Sequence, residues 1–136
     1  MKINHIDEDR TRHVILFFYS VGFLIGTSTH LYNIIVSGFL SVSHLAPWYV
    51  NLYWDSLTLL DLLASILIWY KLRQGVILAI AIMATDIIIN TYSYLSGWFG
   101  VLVSAMVPIG LLMQSVFGTF IFVTATLFLF KRPYSK

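Results

Sequence analysis

The stretch 51–95, NLYWDSLTLLDLLASILIWYKLRQGVILAIAIMATDIIINTYSYL, decides the fold. It holds two apolar runs, 51–70 and 75–95, separated only by the turn Lys71-Leu72-Arg73-Gln74. About 20 apolar residues in a helix cross the hydrocarbon core of a bilayer, so the stretch predicts two membrane-spanning helices that reverse at a basic turn. Working outward, comparable runs lie near 13–36 and 109–130, and four spans nearly use up the 136 residues. The reading is all-α: a four-transmembrane-helix bundle forming a single integral membrane domain over 1–136.

Composition excludes the common soluble classes. The chain is 59% hydrophobic and only 10% charged, with a mean hydropathy of +0.85, whereas a soluble domain is about one-quarter charged. It has no cysteine, so disulfides, thiol nucleophiles and Cys-ligated metal centres are excluded. The eight Lys and Arg residues fall in three groups: Lys2, Arg10 and Arg12; Lys71 and Arg73; Lys131, Arg132 and Lys136. Under the positive-inside rule these groups place both termini and the 71–74 turn in the cytoplasm. The net charge of +2 is thereby accounted for by topology and headgroup contact, and no nucleic-acid partner is implied. The first run follows a charged segment, but it is too long for a signal-peptide core and three more spans follow, so it is expected to stay in the mature protein.

Aromatic residues mark the expected interfaces: Trp48, Tyr49, Tyr53 and Trp54, then Trp69 and Tyr70, then Tyr92, Tyr94 and Trp98. The connection from Ser37 to Val50 reads as irregular because of Gly38, Ser41, Ser43, His44 and Pro47. Residues 98–107 read either as a short interfacial helix or as the start of a long fourth helix kinked at Pro108. Asp7, Glu8 and Asp9 read as the solvated start of the first helix.

Three of the six acids fall inside spans: Asp55, Asp61 and Asp86. An ionised Asp at the centre of a spanning helix costs about 2.5–3.5 kcal/mol on insertion scales, so such a residue faces the bundle or a wet cavity and usually marks function. At 100° per residue, Trp54, Asp55, Thr58, Asp61 and Ser65 share one face of the second helix. Asp86, Asn90, Ser93 and Gly97 share a face of the third, and Tyr19, Gly22, Gly26, His30, Asn33 and Ser37 a face of the first. The fourth helix offers Gly110, Gln114, Gly118 and Ala125. Together these faces predict a cavity in the outer half of the bundle, lined by Asp61, Asp86, Asp55, Asn90, His30, Asn33 and Gln114 with the aromatics Trp54, Tyr92 and Tyr94. Several of these residues have plainer roles open to them. Asp55 reads equally as a helix cap, His30 as a hydrogen-bonded interface residue, and the glycines and alanines as close-packing positions.

No pair among His30, Asp55, Asp61 and Asp86 has the i, i+3 or i, i+4 spacing of a helical metal motif, and no cofactor is implied. Nucleotide-binding loops, nucleophile elbows and zinc-protease motifs are lacking in the sequence as well.

The run Trp54-Asp55-Ser56-Leu57-Thr58-Leu59-Leu60-Asp61, with Thr85-Asp86-Ile87-Ile88-Ile89-Asn90 after the basic turn, resembles small four-helix bacterial membrane proteins of uncharacterised function. The whole layout is also similar to the emopamil-binding (EXPERA) superfamily, which includes sterol isomerases and sigma-type lipid and drug receptors. The shared features are Pro47-Trp48 before an acid-bearing second helix, the short turn from Lys71 to Gly75, and Arg132-Pro133-Tyr134. The resemblance implies that Asp55 or Asp61 holds the cationic amine of a ligand. This chain departs from the isomerases in carrying Asp rather than Glu and in placing its membrane His, His30, on the first helix.

The leading expectation is therefore a membrane protein that binds a lipid or an amphipathic, cationic small molecule, with Asp61 and Asp86 holding the head. The alternatives are a proton- or cation-coupled transporter or channel acting as an oligomer, and a non-catalytic accessory or immunity-type membrane partner. Action as an enzyme on a lipid ranks below these, since no nucleophile with its base stands out. Short loops and the lack of sorting signals favour a bacterial inner membrane.

Overall fold

The computed structural model describes residues 3–100 and 105–130, with side chains from Glu8 onward. The described elements are four helices in chain order: α1 (Ile3–Ser37), α2 (Trp48–Tyr70), α3 (Leu72–Leu95) and α4 (Val107–Leu129). Each contains a stretch long and apolar enough to cross a membrane, Glu8–Ser37 in α1 and the whole of the other three. This is the architecture of an integral membrane protein. Large apolar side chains such as Ile35, Leu59, Ile88 and Val123 are exposed on its flanks, whereas Asp55, Asp61 and Asp86 are only 4%, 5% and 8% exposed. Such an inverted distribution suits hydrocarbon surroundings, where apolar flanks cost nothing and acids must be turned inward.

The helix boundaries differ from the sequence reading in instructive ways. α1 begins at Ile3, so Asp7, Glu8 and Asp9, read as the start of the helix, lie one to two turns inside it and the helix extends well ahead of the apolar run that begins near His13. α2 begins at Trp48, because Pro47 (φ −58°, ψ 150°) occupies the N-cap and its fixed φ leads directly into the first turn. Pro108 lies in the first turn of α4 and does not kink it. A missing N–H is harmless there, since the first helical N–H groups have no intrahelical acceptor. Ahead of α4 the chain turns through residues 96–99, with positive φ at Gly97 and Gly100. Residues 101–104, within the 98–107 segment read either as an interfacial helix or as the start of the fourth span, and the Arg132-Pro133-Tyr134 tail lie outside the described residues.

One residue joins α2 to α3. Lys71 (φ −140°, ψ 67°) both ends α2 and caps α3, so the two helices lie in close contact from their first turn. Gly75 makes this possible: a Cβ there would collide with the backbone of Leu67 and Ile68. Ala64, Val76 and Ala79, all fully buried, line a tightly packed core, with small residues allowing the close approach typical of membrane helices.

Neighbours in sequence are neighbours in space: α1 packs on α2, α2 on α3 and α3 on α4, whereas α4 touches α1 only lightly. The ring of helices is thus nearly open at one seam. Its closure lies toward the end that carries Arg10, Arg12, Lys71 and Arg73, called here the basic end. There Arg12 stands over the Phe128 ring at 5.6 Å and Tyr19 reaches α4. The Tyr19 hydroxyl donates to the Ile121 carbonyl at 2.9 Å and lies 2.8 Å from Thr124 Oγ1. Phe120 and Phe128 pack edge-on against the Tyr19 ring, with centroids at 5.6 and 6.3 Å. The opposite end carries the 38–47 connection and the 96–99 turn and is called the loop end.

Candidate functional site

Between the loop-end halves of the four helices lies a cleft of about 580 Å³. α1 contributes Gly22, Gly26, Thr29, His30 and Asn33. Trp54 and Asp61 come from α2, Met83, Asp86 and Asn90 from α3, and Gly110, Met113, Gln114 and Phe117 from α4. The floor, toward the basic end, is aromatic: Phe23 packs edge-on against Phe117 with centroids 5.6 Å apart. Val42, from the 38–47 connection, and Phe99 complete the lining.

A chain of hydrogen bonds ties three helices together along one wall. The Trp54 indole N–H donates to Asn90 Oδ1 at 2.8 Å. Asn90 Nδ2 in turn donates to Asp86 Oδ1 at 3.0 Å and to Gln114 Oε1 at 3.3 Å. Gln114 Nε2 donates to Asp86 Oδ2. Both oxygens of Asp86 are therefore engaged, and each amide has its nitrogen and its oxygen in use. The sequence reading placed Asp86 and Asn90 on one helical face, which their i, i+4 spacing makes legible. It gave no register by which Gln114 of α4 would reach them.

Asp61 has a different environment. It is buried within the helix bundle and lines the same cleft, within electrostatic reach of Asp86. Its carboxylate lies against Gly26 of α1, where a methyl group would collide with Oδ2. Among the described residues it has no hydrogen-bond donor. Gly26 thus leaves room for a carboxylate and does not bring two helix backbones together. Gly22 behaves alike, since a Cβ there would overlap the Phe117 ring.

Asp55, Tyr92 and Tyr94 do not line the cleft. Asp55 is neither a helix cap nor a wall residue: its Oδ2 accepts the Leu40 N–H at 2.6 Å. That bond holds the connection at a residue with φ +59°, a left-handed conformation that a non-glycine residue seldom adopts unaided. Asn51, which the sequence did not single out, assists by accepting from the Ser43 N–H at 2.9 Å and donating to the Ser43 carbonyl at 2.9 Å. The Ser43 hydroxyl donates to the Trp98 carbonyl. These bonds draw the 38–47 connection over the loop end, which is how Val42 reaches the cleft. Phe99 stacks on Trp54 with centroids 5.3 Å apart beside it. Tyr92 is exposed on the flank, its ring edge-on to Trp98 at 5.3 Å.

Among the described residues, no group of three or more His, Asp or Glu side chains is arranged to hold a metal ion. No protein-family model, no curated protein and no solved structure matches the chain.

Proposed function

We propose that this is a bilayer-embedded binding protein whose cleft takes up a lipid or an amphipathic small molecule, with a cationic or hydrogen-bond-donating head held by Asp61. The observation that carries this reading is the Asp61 carboxylate itself, buried, facing a largely apolar cleft and lacking a donor among the described residues. At hydrocarbon depth an unmatched carboxylate costs several kcal/mol, which a complementary head would offset. Asp86, already engaged by two amides, serves to fix the wall. Access is from the side: the loosely joined α1 and α4 leave a gap through which a tail extends into the surrounding lipid, while the 38–47 connection covers the loop end. In this reading both termini and the basic end face the cytoplasm, and the membrane is a bacterial inner membrane. Lateral access combined with a covered end favours binding over a transport path.

Native mass spectrometry of detergent-purified protein tests this. A lipid-like molecule is expected to co-purify with the parent and to be lost from Asp61→Asn. An empty species indifferent to the substitution would overturn the reading and direct attention to flux in liposomes.

A further inference from the structure

The polar groups of the cleft divide into a saturated set and an open set. Trp54, Asn90, Asp86 and Gln114 spend their hydrogen-bonding atoms on one another. Asp61, His30 and Asn33 line the same cleft and have no hydrogen-bond partner among the described residues, although His30 lies within electrostatic reach of Asp55. The open groups are ordered along α1. Asp61 sits against Gly26. At about 1.5 Å of rise per residue, His30 lies about 6 Å and Asn33 about 10 Å farther toward the loop end. An imidazole and an amide facing a cavity at membrane depth need a polar occupant, because hydrocarbon supplies none.

From this arrangement, and resting on the reading of the cleft as a ligand site, we infer that recognition occurs at two points. A cationic or donor group sits at Asp61, and a second polar group such as an alcohol meets His30 and Asn33. The ligand class is an amphiphile with two separated polar groups, an amino alcohol rather than a simple amine. His30 offers one donor and one acceptor and Asn33 two donors and an acceptor, so a hydroxyl is matched whichever way its proton points. The pair therefore sets specificity, while Asp61 sets the depth at which the head is held.

A matched pair of probes tests the inference on the intact protein: N-dodecyl-6-aminohexan-1-ol, with a hydroxyl at the far end of its hexyl arm, and N-dodecylhexylamine, which lacks only that oxygen. The alcohol is expected to bind the parent about tenfold more tightly, the usual size of a buried hydrogen bond left unmade. In the double variant His30→Leu, Asn33→Leu its affinity should fall to that of the amine. Asp61→Asn should weaken both compounds. The ratio measured on the parent is decisive by itself, whether or not the variants fold. Equal binding of the two probes, with both weakened by Asp61→Asn, would overturn the second point and leave His30 and Asn33 to water, with the cleft still a ligand site. Binding of neither probe, or binding indifferent to Asp61, would overturn the cleft reading and this inference with it.

Discussion

At the basic end α1 and α4 are held together by Tyr19, Phe120, Ile121 and Phe128; toward the loop end the same two helices meet where Phe117 packs on Gly22 and Phe23, and beyond that ring the cleft lies between them. The difference lies in where bulk and polarity fall along α1. In the basic half a large aromatic reaches across and places its one polar atom on an acceptor. In the loop half α1 presents Gly22 and Gly26, small residues that elsewhere let helices touch, and here their space is taken by a phenyl ring and a carboxylate. Small residues on a membrane helix therefore indicate close approach of something, and only the partner's side chains decide whether that is a helix or a site.

This contrast predicts unequal responses to substitution. The largest is expected for Asp86→Leu, which leaves the Asn90 and Gln114 amides without their shared acceptor. A loss of about 2 kcal/mol follows, since Gln114 Nε2 is stranded at about 1–3 kcal/mol whereas Asn90 Nδ2 keeps Gln114 Oε1, read as a lower unfolding midpoint in detergent. A loss no greater than that of Asp61→Leu would break the distinction between a saturated and an open acid. Tyr19→Phe is expected to cost about 1 kcal/mol. Its mark should be faster hydrogen exchange in the basic half of α4, with the cleft's binding properties kept. The smallest effect on stability belongs to Asp61→Leu, within about 1 kcal/mol of the parent, because exchanging an unmatched buried acid for an apolar side chain removes a desolvation cost. The same variant should lose the co-purified molecule, and retention of it would place the head elsewhere.

Much of the fold was legible because its determinants are local. Run length, the three basic clusters and the turn at Lys71 specify four spans without reference to any contact. The faces carrying Asp61, Asp86, Asn90, His30 and Asn33 were equally legible, being matters of helical spacing. Partnership between helices was not. Asp55 shares the face of Asp61 but sits about 9 Å nearer the loop end, where the 38–47 connection meets it, and the path of an irregular connection is not written in periodicity. Tyr92 was grouped with Asn90 by depth, yet two residues turn a helix by about 200°, which sends its ring to the flank. The role of Gly26 depends on the rotation of α1 against α2, a tertiary quantity.

The single-residue reversal at Lys71 has a kinetic meaning. Closing so short a loop costs little chain entropy, and contacts near in sequence form early. The α2–α3 hairpin is thus the cheapest long element for the chain to assemble, and it alone brings Asp61 and Asp86 together. The hairpin carrying both acids is therefore expected to form before α1 and α4 dock on it, an order that pulsed hydrogen-exchange labelling during refolding would check.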